Sequence, residues 1–352
     1  MTNSEKDIPL FVDLDGTLLK TDIMFEAMLL LLKRNIFYCL PLLFWLAKGP
    51  AYLKYQLSKR VDIPVAALPA NTEFLKYLQT QKKINRKLIL ISASSQKAVD
   101  EVKSQMKIFD AAFGSDARLN LKGHTKLEKI RMLAGGKSFA YAGNSRDDTV
   151  IWDEASQVVI VNCSVKTVNP EKFENALRFD PPEPALGQLL RSVRPHQWLK
   201  NLLVFIPLTL SHQLSDTGLI SVLFVTFISF SLCASSVYLM NDLFDLTHDR
   251  KHITKFNRPF SSGNLSIVTG LIAGPCLFIL GAITAFYLPF NFFIIFLTYG
   301  LINFAYTFYL KKIFMLDVVI LAFLYTLRII AGAESIELQT TSWLLGFSFS
   351  LF

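Results

Sequence analysis

Two groups of residues in this 352-residue chain have the types and spacing for phosphate chemistry. Asp13-Leu14-Asp15-Gly16-Thr17 sets two carboxylates one residue apart, where the apolar run 8–12 gives way to a loop. Ser92 follows a second such run, 88–91, while Asn144 and Asp148 follow a third, 139–142. Lys122 and Lys126 lie upstream of that third run, at the start of a helical stretch. Together these groups can carry out phosphoryl transfer. One carboxylate attacks phosphorus and the second gives a proton to the leaving oxygen; a hydroxyl and an ammonium hold phosphate oxygens, and Mg²⁺ screens the charge. Further along, Asn241, Asp242, Asp245 and Asp249 end a long apolar segment. At about 100° per residue they fall within one arc of about 100° if the helix continues. Such an acidic face at a membrane boundary suits Mg²⁺ bridging to a diphosphate leaving group. Lys255 and Arg258 in the following loop are placed to meet its phosphates.

The elements that must hold these residues differ between the halves. Up to about residue 180, short apolar runs (8–12, 88–91, 139–142 and 158–161) alternate with helical stretches, the pattern of a parallel sheet. Ligands of such sheets sit at the carboxyl ends of the strands, where all the residues of the first group fall. The insert at 21–77 is expected to be a helical cap. Its runs 23–32 and 36–47 flank Lys33-Arg34-Asn35, and each is too short to cross ~30 Å of hydrocarbon as a helix. They read as cap core, as an in-plane hairpin dipping into a membrane or, least favoured, as a spanning pair. The proline-rich 180–184 then reads as a linker, dividing the chain into domains at 1–183 and 184–352.

Beyond the linker, candidate spans run over 198–210, 219–240, 265–288, 292–310 and 313–331, with an incomplete sixth at 342–352. Basic residues (Arg191, Arg194 and Lys200, then Arg250, Lys251, Lys255 and Arg258, then Lys311 and Lys312) alternate with loops that carry none. The basic loops belong on the cytosolic face, as does the first domain, whose polar N-terminus lacks the order of a secretory signal. The predicted location is therefore the inner (cytoplasmic) membrane, with several passes. Composition agrees: 52% of residues are hydrophobic, 30 are Phe and only 18% are charged, which excludes disordered and collagen-like chains. The formal charge of +8 sits beside apolar runs rather than on a stripe with interleaved aromatics, so no nucleic-acid partner is expected. Cys39, Cys163, Cys233 and Cys276 have no metal-site or disulfide spacing.

The first group of motifs, in order after successive strands, resembles the haloacid dehalogenase (HAD) superfamily of phosphatases over roughly residues 6–165. The resemblance implies Asp13 as nucleophile, Asp15 as general acid, Ser92 as the phosphate-binding hydroxyl and either Lys126 or Lys122 as the phosphate-binding lysine. It further implies Mg²⁺ held among Asp13, Asp15, Asn144 and Asp148. Asn144 stands where the family usually has Asp, which lowers the charge opposing the metal. Both an active phosphatase and a domain reduced to docking follow from that departure.

The second group, Asn241-Asp242-x-x-Asp245-x-x-x-Asp249, is preceded by Arg194-Pro195-His196-Gln197-Trp198-Leu199-Lys200-Asn201 and followed by Asn257-Arg258-Pro259. This resembles the UbiA superfamily of intramembrane prenyltransferases, and in particular its decaprenyl-phosphate phosphoribosyltransferase branch. By that resemblance Asn241, Asp242, Asp245 and Asp249 hold Mg²⁺ and diphosphate, with Lys200, Arg258 and Lys312 as basic partners. Asp317 and Arg328, 11 residues apart in the fifth candidate span, share a helix face and are candidates for substrate contact. The implied fold is an α/β parallel sheet with a helical cap, followed by an all-α polytopic UbiA-like bundle. The implied partners are a lipid membrane, a polyprenyl phosphate or diphosphate, and phosphoribosyl diphosphate. Prenyl transfer from a polyprenyl diphosphate to a small acceptor is the alternative. The family's second Asp-rich motif is absent before Phe352, which leads us to expect a fragment of a longer protein.

Overall fold

The computed structural model describes residues 6–116, 119–163, 170–180, 184–310, 313–339, 343–344, 346 and 350. It divides into two compact units: Met1–Ala185 together with Leu246–Ile267, and Leu186–Asp245 together with Val268–Phe352.

In the first unit, β1 (Leu10–Val12), β2 (Leu88–Ser95), β3 (Ala111–Ser115), β4 (Ala140–Gly143), β5 (Gln157–Val161) and β6 (Leu177–Phe179) form one sheet in the order β3-β2-β1-β4-β5-β6. Every pairing is parallel. The near-continuous apolar strands are what a sheet covered on both faces demands, and Leu10, Phe11 and Val12 are fully buried. Chain order reverses at β1, so the carboxyl ends of β1, β2 and β4 flank a topological switch point.

Between β1 and β2 lie α1 (Ile23–Arg34), α2 (Cys39–Ala47), α3 (Pro50–Ser58) and α4 (Thr72–Lys83). Asp22 caps α1, accepting from the Met24 and Phe25 amides. Buried Ile23, Ala27 and Leu31 of α1 join Leu53 and Leu57 of α3 in one apolar cluster with Leu10 and Val12 of β1. The same unit contains α5 (Gln96–Met106), α6 (His124–Ala134) and α7 (Thr149–Trp152).

The second unit contains α8 (Ala185–Val193, which starts at the unit boundary), α9 (Ile206–Leu210) and α10 (Thr217–Phe244). After α10, the short α11 (Leu246–Asp249) belongs to the first unit. The second unit resumes with α12 (Ile267–Phe286), α13 (Phe290–Phe308) and α14 (Leu316–Ser335). Four of these, α10, α12, α13 and α14, are long and apolar enough to cross a membrane. The run 198–210 is not a span-length helix: it divides into a 3₁₀ stretch, Pro195–Phe205, and the five-residue α9, each with Pro at its start. Proline suits these first turns and stops a longer helix from running through. Phe230, Phe292, Phe296, Leu324 and Leu327 form the apolar core of the bundle. Buried Ser231 and Ser235 give α10 a small, polar face for close packing, and buried Ser229 on its other side bonds Thr284 of α12. At Gly332, α14 approaches the backbone so closely that a Cβ would lie 2.0 Å from the Val204 carbonyl oxygen.

Candidate functional site

Val12 sits opposite Leu90 of β2 and Ala142 of β4, so residues following these three strands emerge side by side. Lys126 on α6 donates to Asp13 Oδ1 at 2.8 Å and to the Tyr141 hydroxyl at 3.0 Å. Tyr141 donates to Asp148 Oδ1 at 2.6 Å, and that oxygen lies 3.7 Å from the Lys126 ammonium. Lys122, by contrast, is exposed and pairs with Asp147 at 2.9 Å. Lys126 is therefore the lysine of the crevice. Asp148 Oδ2 accepts from the Asn144 and Ser145 amides and from the Ser145 hydroxyl, at 3.1, 3.0 and 2.9 Å. Asp148 spends its oxygens on shaping the loop and orienting Tyr141.

Asp15 is held at both oxygens. Oδ1 accepts from the Ile23 amide at 2.9 Å, and Oδ2 from the Ser92 and Ser94 hydroxyls at 3.1 and 2.6 Å. Ser94 and Tyr141 were not foreseen from the sequence. Ser94 lies two residues from Ser92, and strand alternation puts the two on one side. Nothing local marked Tyr141. Gly16 takes φ +75°, and a Cβ there would lie 2.0 Å from Asn144 Nδ2, so the turn admits Asn144 only because residue 16 is glycine. The Gly16 carbonyl accepts from Asn162 Nδ2 at 3.1 Å.

Burial, reinforced by Asp148 and Asp15, pushes Asp13 up to about 7 against the pull of Lys126. Burial likewise pushes Asp15 up to about 6, which favours a carboxyl able to hold and give a proton near neutral pH. Burial alone would lower Lys126, but Asp13 and Asp148 outweigh it and keep the ammonium charged. Among the described residues no group of three or more His, Cys, Asp or Glu is arranged to hold a metal. The oxygens of Asp15 and Asp148 are already engaged, which leaves the second oxygen of Asp13 and the amide oxygen of Asn144. Both are hard donors that suit Mg²⁺, with less negative charge than two aspartates would supply.

In the second unit, Arg194 sits at φ +55°, an uncommon conformation for a non-glycine residue, and is followed by Pro195. Its Nη2 reaches both oxygens of buried Asp242, at 2.7 and 2.9 Å. Trp198 Nε1 donates to Ser235 Oγ at 2.9 Å, and Asn201 Nδ2 to Ser231 Oγ at 3.1 Å. These bonds fasten the Arg194–Asn201 segment along α10. Buried Arg328 donates to Asn201 Oδ1 at 2.9 Å, to the Tyr299 hydroxyl at 2.7 Å and to the Leu324 carbonyl at 2.8 Å. Tyr299 was not foreseen from the sequence either.

Lys200, Asn241, Tyr299, Asn303, Tyr325 and Arg328 line a cavity of about 170 Å³. Asn241 Oδ1 is buried without a hydrogen-bond partner. An orphaned oxygen beside Asp242 fits a hard cation, because burying such an acceptor unpaired costs about 1–3 kcal/mol. Asp245 is the C-cap residue of α10, and its amide bonds the Asn241 carbonyl at 2.9 Å. Thus α10 stops at Phe244 rather than continuing through the acidic motif as one helix. Asp249 falls in the first unit, where Arg258 pairs with it at 2.6 Å and Lys255 lies at 4.0 Å. Asp317 is half-buried in the first turn of α14 and is not part of the cavity lining. Lys312 lies outside the described residues.

Residues 204–352 match the UbiA prenyltransferase family. That stretch is the UbiA domain of the chain. It is 33% identical over 360 residues to the uncharacterized protein y4nM of Sinorhizobium fredii, across 99% of this chain and 68% of that one. It is 32% identical over 171 residues to the decaprenyl-phosphate phosphoribosyltransferase of Mycolicibacterium smegmatis, across 47% of this chain and 53% of that one. The chain thus spans about two thirds of the first relative and about half of the second. A solved phosphoserine phosphatase matches 53% of this chain and 98% of its own, with 17% identity and a TM-score of 0.34. The UbiA match coincides with the bundle that carries α10, α12, α13 and α14. The described UbiA unit is a multi-pass helical domain, joined in one chain to a parallel α/β unit.

Proposed function

We propose that the UbiA unit transfers phosphoribosyl from phosphoribosyl diphosphate to a polyprenyl phosphate in the cytoplasmic membrane, with the α/β unit on the cytosolic side. The observation that carries this reading is the cavity in which Lys200 and Arg328 share a wall with the unpartnered oxygen of Asn241. Cationic walls suit phosphorylated substrates, and an acceptor-only oxygen suits the cation such substrates bring. The likeness to decaprenyl-phosphate phosphoribosyltransferases supports the same donor and acceptor. An oxygen of the lipid phosphate attacks the anomeric carbon, the bond from that carbon to diphosphate breaks, and diphosphate leaves. Asn241, Asp242 and Asp245 would hold Mg²⁺, which screens the charge of the leaving diphosphate. Arg194 pairs with Asp242 and orients it, and Arg328 fixes Asn201 and Tyr299 around the cavity.

The test uses membranes carrying the full chain, ribose-labelled donor, polyprenyl phosphate and Mg²⁺. Label is expected in the organic phase and is expected to stay aqueous for Asp242→Asn. Wild-type label that stays aqueous would remove this reading. Product formed from a polyprenyl diphosphate and a small acceptor would support prenyl transfer instead.

We also propose that the α/β unit hydrolyses a phosphomonoester. Asp13 attacks phosphorus while Asp15 protonates the leaving alkoxide, and water then releases phosphate from Asp13 with Asp15 as base. Lys126 holds Asp13 in line, and the Asp13–Asn144 oxygens would take Mg²⁺, which screens the phosphate charge. Hydrolysis of p-nitrophenyl phosphate by the full chain, lost in Asp13→Asn, is the expected result. Equal, negligible rates for both proteins would leave the unit as a docking module.

A further inference from the structure

Residues 27–61 contain Lys33, Arg34, Lys48, Lys54, Lys59 and Arg60, and neither Asp nor Glu. At the centre of this stretch, α2 and the turn before it expose Phe37 (74%), Leu40 (68%), Leu43 (64%), Phe44 (58%) and Leu46 (51%) to solvent. The opposite side of α2 is also apolar, with Leu42 and Trp45 buried in the cap core. One side therefore holds the helix to the α/β unit, and the other side is left bare. A helix apolar all round belongs in a core or in lipid, and a contiguous bare patch of this kind marks an interaction surface.

The rim of the patch says which surface it meets. The Lys48 ammonium lies 4.6 Å from the Phe44 ring and 5.1 Å from Tyr52, and the Arg60 guanidinium lies 4.6 Å from Trp45. Cationic heads thus stand at the edge of the aromatic and aliphatic side chains, as they do when stems lie along lipid and charges reach headgroups. With six cations and no Asp or Glu between residues 27 and 61, the complement is an anionic leaflet. At 1.5 Å per residue the nine residues of α2 reach only about 14 Å, so the helix lies along a bilayer rather than across it. A bilayer is always at hand, because the described residues of the same chain include four membrane-length helices.

We infer that α2 is an in-plane membrane contact, by which the cap of the α/β unit docks on the headgroup boundary of an anionic leaflet. This stands apart from the reactions proposed above. It makes the cap a second attachment to the membrane, independent of the spans.

Cys39 is exposed on α2, Cys163 and Cys233 are buried, and Cys276 is exposed on α12, so Cys276→Ser leaves one accessible thiol. The full chain is reconstituted in nanodiscs containing phosphatidylglycerol, and Cys39 carries a nitroxide. Power saturation should give oxygen access at least about threefold above that of a water-soluble nickel complex, the signature of a residue at the acyl boundary. A Ser104→Cys label at an exposed position of α5, with Cys39→Ser and Cys276→Ser, should show the reverse. Leu40→Asp with Phe44→Asp should move the Cys39 label into water. The inference is overturned if the Cys39 label is open to nickel in the parent protein, or if the double variant keeps its lipid reading. A label shielded from both reagents would also overturn it, because a protein surface would then cover α2.

Discussion

In the α/β unit, Asp13 and Asn144 directly follow β1 and β4 and Ser92 lies within the neighbouring β2, so backbone pairing sets them side by side. In the UbiA unit, Asn201, Arg328 and Tyr299 come from a 3₁₀ stretch and two separate helices, and side-chain packing and side-chain bonds bring them together. The first arrangement is over-determined: Asp15 and Asp148 each accept at both oxygens. The second leaves Asn241 Oδ1 unpaired beside a cavity. A sheet edge can hold a finished constellation because its spacing comes from hydrogen-bonded backbone. A bundle has no such ruler, so each long side chain it uses must be anchored by another.

That difference can be broken experimentally. Asp13→Asn should lower phosphomonoester turnover by at least about 10³-fold, since it removes the nucleophile itself, while leaving lipid transfer in the same membranes unchanged. A parallel loss of transfer would join two sites that the structure builds separately. Arg328→Met should act the other way. It strands Asn201 and Tyr299 in the bundle, and is expected to cut transfer about 10²-fold with hydrolysis intact, measured on the same preparation.

A smaller effect concerns how the first unit holds segment Leu246–Ile267. Arg250 donates to buried Glu26 at 3.0 and 2.6 Å, and Glu26 also accepts from Thr21 at 2.6 Å. Glu26→Ala leaves an uncompensated guanidinium and should cost about 3–5 kcal/mol, read as a lower urea midpoint; adding Arg250→Leu should recover part of it. Recovery would distinguish lost pairing from lost packing. The smallest change is expected from Lys122→Ala, whose exposed pair with Asp147 is worth about 0–1 kcal/mol, so hydrolysis should stay within about twofold of wild type. Lys126→Ala should abolish hydrolysis. If the two lysine variants exchanged these effects, the assignment of the crevice lysine would be reversed.

Much of this molecule was legible before folding. Short apolar runs announced a parallel sheet, and long ones announced membrane helices, because burial against protein or lipid selects composition residue by residue. The carboxylate pair at Asp13 and Asp15 was legible for a similar reason: one turn places it, whatever the rest of the chain does. Periodicity could not choose between Lys122 and Lys126, which lie one helical turn apart. Tyr141 against Lys126 decided that choice. Nor could it stop α10 at Phe244, because the break is made where the chain passes from one compact unit to the other. Glu26, an acidic residue in an apolar helix, gave no local sign of Arg250, 224 residues away. The sequence by itself determined which segments are apolar and where each nucleophile, acid or cation stands along them. Which charges meet was decided only by tertiary structure, because a buried ion pair is specified by two distant positions and by the space both must share.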